Sequence, residues 1–221
     1  MAEIVETDWT LDPAELMSGL DTDVHLLEPR SPGCHHSDVI RDLENTHIKP
    51  GQRKSDIDMS DDDRATMHRY WELGFLWEVV LESYFKKRRI ANLDPSKFLR
   101  QIEKEHDGVF KTIDAIHIPD WRVLEYKLTF RSMNRATLDK IEMEFWGWFT
   151  QLKSNCLAHE TRLASLFVFW INGTYHPPVP QTRRYDIIFE EAELVENWHM
   201  ILTHKKVMEK EGRASWITPK S

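Results

Sequence analysis

Between residues 108 and 130 apolar and polar positions alternate with the period of a β-strand. In VLEYKLTF, Val123 to Phe130, the residues Leu124, Tyr126, Leu128 and Phe130 make an apolar face, and Glu125 and Lys127 share the other. The run before it, GVFKTIDAIHI, is also strand-like. Pro119-Asp120 joins the two, which predicts an antiparallel hairpin. Upstream, Ser60 followed by Asp61, Asp62 and Asp63 is a helix start. The helix it opens is predicted to reach about Lys87, with Met67, Tyr70, Trp71, Gly74, Trp77, Leu81, Tyr84 and Phe85 as its inward stripe. Asn92, Asp94 and Pro95 mark a turn and predict a further short helix over 95–105. After the hairpin, a helix is expected over about 137–160, with Ile141, Phe145, Trp148, Leu152 and Cys156 on one side.

The continuous apolar run RLASLFVFWI reads as a central strand covered on both faces, followed by an Asn172-Gly173 turn, a strand in RRYDIIFE and a helix over 190–210. Near the N-terminus, SDVIRDLENTH predicts a short helix capped by Ser37, and the rest of residues 1–34 is weakly patterned. The order of elements predicts an α/β fold with a mixed central sheet flanked by helices. An N-terminal extension is expected over 1–60, a main domain over 61–210 and a tail over 211–221.

Composition narrows the class. Of 221 residues, 41% are hydrophobic, with nine tryptophans and ten phenylalanines, so the chain can build a real core. The net charge of −8 gives no overall basic bias, yet FKKRRI (85–90) and TRR (182–184) are local basic clusters. Two distant cysteines, Cys34 and Cys156, cannot hold an iron–sulfur cluster, which needs about four thiolates. The N-terminus is acidic, and no run approaches the roughly 18 apolar residues of a membrane span, so no membrane partner and a cytoplasmic location are expected.

The candidate chemistry lies in the hairpin. A loop of two or four residues around Pro119-Asp120 keeps one register, and that register sets Asp114 opposite Glu125. Opposed residues hold their Cβ atoms about 4.5–5.5 Å apart. Two carboxylates so close repel, and a divalent cation relieves them further than Lys127 alone; two carboxylates plus waters suit Mg2+ or Mn2+. The plain alternative is a solvated strand face. In the long helix, Glu78 falls on the apolar stripe one turn from Gly74, where an acid is costly unless paired or on a metal. Glu82 is a rival on a neighbouring line of that helix, and Asp107 is a rival acid with seventeen residues between it and Glu125. His35 and His36 sit on a loop, where solvent exposure is the ordinary outcome. The aromatics of EFWGWF at helical spacing read as core before they read as a base-stacking surface.

Asp114 followed by Glu125-x-Lys127 resembles the D…(D/E)xK signature of the PD-(D/E)xK nucleases. Gly74-x-x-x-Glu78 in an upstream helix is similar to the first motif of that superfamily. Gln151 in FTQLKSNCLA resembles the glutamine of the Q-x-x-x-Y motif in its RecB-like, phage-type exonuclease branch. The likeness spans about residues 66–200, some 60% of the chain. Four departures stand beside it: Asn155 occupies the tyrosine position, Glu78 stands where that branch often has a histidine ligand, Ile113 precedes Asp114 in place of proline, and no cysteine set is present. The resemblance implies a restriction-endonuclease-like core and a Mg2+- or Mn2+-dependent deoxyribonuclease without an iron–sulfur cluster. It implies Asp114, Glu125 and Glu78 as metal ligands, with Lys127 and Gln151 also in the catalytic set. DNA would be the partner, contacted by Lys86, Lys87, Arg88 and Arg89, with a homo-oligomer or a recombination partner protein as further possibilities. A DNA-binding or assembly protein that does not cleave, and a metal-dependent RNA endonuclease, are the competing readings.

Overall fold

The computed structural model describes residues 2–7, 31–48, 60, 62, 66, 69–70, 73–74, 76–81, 93–133, 137–171 and 181–214. Among the described residues six strands form one sheet: β1 (Glu3–Thr7), β2 (Phe98–His106), β3 (Val109–His117), β4 (Arg122–Thr129), β5 (Leu163–Trp170) and β6 (Gln181–Ile188). Their spatial order is β1-β6-β5-β4-β3-β2. Only β4 and β5 run parallel; the other neighbours are antiparallel. The fold is therefore α/β with a mixed sheet. The parallel step requires a crossover, supplied by helices α3 (Ile141–Glu144) and α4 (Trp146–Ala158). Preceding them in the chain are α1 (His36–Leu43), extended by a π-helical turn over Glu44–Ile48, and α2, whose continuously described part is 76–81. The last described helix is α5 (Glu191–Lys210), closed at its start by a reciprocal capping box between Glu190 and Glu193. Among the described residues no helix is long and apolar enough to cross a membrane.

Two cores cover the sheet. On one face Ile113, Ile116, Val123, Leu166 and Val168 pack with Ile141, Phe145, Phe149, Leu152 and Cys156. On the other, Ala115, Leu124, Tyr126 and Phe167 pack with Trp77 and Leu81 of α2. The aromatics of EFWGWF pack inward: Phe145 and Phe149 are buried in the core beneath α4 with Trp148 half-buried against it, while Trp146 lies half-buried against a separate cluster around Val39, Trp198 and Ile201.

Several expectations need correction. Residues 95–105 are not a helix. Asp94 Oδ1 does accept from the Ser96 N–H at 3.1 Å, but the turn it starts ends at Lys97 and strand β2 follows. The cause is Asp107-Gly108, whose φ values of 49° and 69° make the two-residue connection that favours a tight hairpin, so β2 folds back on β3. Ser37 is not a cap: the helix begins at His36, with His35 in the cap position and no side-chain bond there. The expected single helix over 137–160 is interrupted at Phe145. Tyr70 is 53% exposed and rests against Phe130 rather than facing inward. β1 was not expected; it is a five-residue edge strand on β6. Met67, Trp71, Tyr84, Phe85 and Asn172-Gly173 lie outside the described residues.

Candidate active site

The β3–β4 turn spans Ile118–Trp121 and preserves the even register, pairing His117 with Arg122, Ile116 with Val123 and Ala115 with Leu124. Charge locks this turn. His117 Nδ1 lies 2.5 Å from Asp120 Oδ1, Arg122 Nε donates to Asp120 Oδ2 at 2.8 Å, and Arg122 also reaches Asp186 on β6 at 3.4 Å. Burial pushes the Asp120 carboxyl up, but Arg122 and His117 outweigh it and hold it below the usual range.

Past Ala115 and Leu124 the ladder stops, one residue short of Asp114 and Glu125. On the other side of β3 the pairing with β2 also skips a position, at Gln101, which faces Asp114 in register and has φ +47°. A non-glycine residue there is uncommon and marks a bend. The alternation of β3 slips at the same place. Ile113 packs in the core beneath α4 and Ala115 in the core beneath α2, although residues two apart on a regular strand share a face. Asp114 thus stands where the regular pairing and the face alternation of β3 break, although the register with β2 is kept on either side of it. Its Oδ2 accepts the Tyr126 N–H at 2.6 Å, taking the place of a missing ladder bond.

Glu125 and Lys127 both point toward α4. Glu125 is 1% exposed, and both of its oxygens are engaged. Lys127 Nζ donates to Oε1 at 2.5 Å, and Asn155 Nδ2 donates to Oε2 at 3.3 Å. Lys127 Nζ also donates to Gln151 Oε1 at 3.0 Å. Gln151 and Asn155 are four apart on α4, so one helix face holds both the lysine and the acid. Glu78, half-buried on α2, acts on the same group of charges.

The electrostatics follow from this crowding. Burial, then Glu125 and Glu78, drive the Asp114 carboxyl well above the usual carboxylate range, against the opposing pull of Lys127 and the Tyr126 N–H. Burial would lower Lys127, but Glu125 and Asp114 overcome it and hold its ammonium above the ordinary lysine value. Three acids and one ammonium leave a net deficit of positive charge, which suits a cation. Asp114 and Glu125 offer hard oxygen ligands of the kind Mg2+ takes alongside waters and substrate phosphate. With Glu78 they do not close into a three-ligand set among the described residues.

The structure brings Asp114, Glu125, Lys127 and Gln151 together and sets Glu78 within electrostatic reach. Lys86, Lys87, Arg88 and Arg89 lie outside the described residues. Sequence reasoning treated Asn155 only as a missing tyrosine; here it is the buried donor that steadies Glu125. The expectation of exposed loop histidines fails at His36, which is 3% exposed in the first turn of α1.

No family model matches the chain, and no curated protein matches it. Among solved structures, the chain is similar to the crystal structure of a phage related exonuclease from Haemophilus somnus 129PT, at 10% identity and a TM-score of 0.48, covering 81% of this chain and 96% of that one. It is also similar to the crystal structure of SSO0001, at 15% identity and a TM-score of 0.45, covering 86% and 82%. Both scores are below 0.5, so the functional reading that follows rests on the site itself.

Proposed function

We propose that the chain is a metal-dependent nuclease that hydrolyses DNA phosphodiester bonds, in the manner of a phage-type exonuclease acting in recombination, repair or degradation. One observation carries the reading: an ammonium group clamped between a buried glutamate and a glutamine, beside an aspartate where the strand ladder breaks, in the order Asp114, Glu125-x-Lys127, Gln151. Asp114 and Glu125 would hold a Mg2+ or Mn2+ ion, with Glu78 completing the shell through a water. When bound, such an ion polarises the scissile phosphate and lowers the pKa of water beside it.

The chain's own groups do the rest. Lys127 keeps its proton at neutral pH, so it orients the attacking water and stabilises charge growing on the phosphate rather than acting as base. Gln151 fixes the lysine. Asn155 holds Glu125 in one rotamer, so that binding a cation costs little reorganisation. Lys86, Lys87, Arg88 and Arg89 would contact backbone phosphates, giving affinity without sequence choice. DNA is the proposed partner, with self-association or a recombination protein as further partners and the cytoplasm as the compartment.

A second reading, a DNA-binding or assembly protein that does not cleave, draws on Glu125 having both oxygens engaged. The test is digestion of end-labelled linear duplex, circular duplex, single-stranded DNA and RNA in Mg2+, Mn2+ or chelator. Cation-dependent loss of DNA ends supports the proposal. Binding without cleavage under every condition favours the second reading, and cleavage of RNA alone makes the chain a ribonuclease.

A further inference from the structure

Next to the acid and lysine cluster lies a cleft of about 60 Å³ whose lining includes His36, Ser37, Lys111, Thr112, Gln151 and Asn155. Gln151 and Asn155 are the two α4 residues that hold Lys127 and Glu125, so the cleft is the other side of the same helix-to-strand contact.

Its chemistry is unusual for a buried space. Lys111 is 2% exposed, yet among the described residues its Nζ donates to the Ser154 carbonyl, at 3.2 Å, and stands 3.6 Å from the Trp198 ring centroid. Neither partner is an anion, and a buried cation without a counter-charge is costly. Burial, with Lys104 adding to it, pushes this lysine down to about 7 despite Asp107. Among the described residues, buried His36 Nε2 finds no hydrogen-bond partner, and neither does Asn155 Oδ1. Burial and the charges of Lys111 and Lys127 push His36 down to about 3, so its ring stays neutral and can offer an N–H. The first turn of α1, an eight-residue helix, lines the cleft as well, and helix starts favour negative charge.

We infer that this cleft is a phosphate-binding subsite, in which Lys111 and His36 grip a phosphate group of the nucleic acid beside the one being cut. The inference rests on the nuclease reading for the identity of its ligand. Lys111, held protonated by the entering anion, supplies the charge, the His36 ring a directed N–H, and Ser37 and Thr112 contribute hydroxyl groups from the lining. Asn155 Oδ1, an acceptor, takes a water or the hydroxyl of a protonated phosphate. Because Asn155 also donates to Glu125, a filled cleft fixes the acid at the cleavage site, which couples substrate position to catalysis. The phosphate could be an internal diester or a terminal monoester; both present the same oxygens.

The test separates this subsite from the cleavage reaction. Full-length protein in chelator is titrated with inorganic phosphate while the His36 ring nitrogens are followed by NMR. A saturable shift is expected in wild type and in Asp114→Asn, and its loss in Lys111→Met. An unresponsive His36 ring, or an equal response in Lys111→Met, overturns the subsite whatever the nuclease assay gives. Two oligonucleotides differing only in a terminal phosphate or terminal hydroxyl then identify the source. A loss of about tenfold in affinity in Lys111→Met for both oligonucleotides assigns an internal diester. The same loss for the phosphorylated one alone assigns a terminal phosphate. No loss for either removes the role in nucleic-acid binding.

Discussion

Replacing Asp114 with asparagine should stabilise the metal-free protein while destroying its activity. The folded protein holds a proton on Asp114 well above pH 3.8, the ordinary value, because the site is buried and Glu125 and Glu78 are close. The unfolded chain has lost that proton. Over this window the native state binds more protons than the unfolded state, so stability is full below about pH 3.8 and falls as pH rises toward the folded value. One titrating group changes stability by at most about 1.4 kcal/mol per pH unit. For a chain of this length that is about 3–6 °C in Tm per unit. Asparagine is isosteric, its side-chain oxygen can still accept the Tyr126 N–H, and it carries no charge to titrate. The assay is thermal unfolding of wild type and Asp114→Asn in chelator at half-unit steps from pH 5 to 8. The Tm of the variant should rise above that of wild type, and the gap should widen with pH. Saturating Mg2+ should narrow it by stabilising wild type alone. Parallel curves with no pH-dependent gap would refute the claim that Asp114 is electrostatically strained.

Other variants report on separate parts of the site and fold. Lys127→Ala should lower cleavage by about 10²–10³-fold with unchanged circular dichroism, since it removes one preorganised donor from the reacting phosphate. Asn155→Ala leaves a buried Glu125 oxygen without its donor and should cost about 1.5–3 kcal/mol in denaturant unfolding. Gly108→Ala forces a side chain to φ +69° in the β2–β3 turn and should cost about 1–2 kcal/mol without altering cation dependence. Asp42 behaves oppositely to Asp114: burial pushes it up, but bonds from Arg213 and His204 hold it below 3.8. Its stabilisation is therefore present above the unfolded value and lost as pH falls through the lower folded one. Asp42→Asn should accordingly lower Tm at neutral pH and flatten the acid limb of the stability curve.

The hairpin was legible because strand register depends on loop parity, and both plausible loops around Pro119-Asp120 have even length. Hence the juxtaposition of Asp114 with the Glu125-x-Lys127 face could be derived from spacing alone. The break in the ladder at Asp114 could not, because it is shared with Gln101 on β2, a segment for which Asp94-Pro95 predicts a helix. Asp94-Pro95 is a genuine helix-start signal, and it produces one turn before Asp107-Gly108 folds the following residues into the sheet. The tertiary pairing there overrides the local start, and the Asp-Gly turn was the stronger signal. Asn155 shows a different obstacle: a substitution away from a familiar pattern looks like loss until the packing of α4 on β4 shows what the side chain touches. The cleft around Lys111 joins β3, α1 and α4, distant segments whose meeting no periodicity announces.

The central claim is that the Asp114 and Glu125 carboxylates converge on one divalent cation. Manganese uptake by the full-length protein, followed by electron paramagnetic resonance with a short DNA oligonucleotide present, tests it most directly. One saturable site is predicted in wild type and its disappearance in both Asp114→Asn and Glu125→Gln. Equal manganese uptake by wild type and both variants would contradict the account.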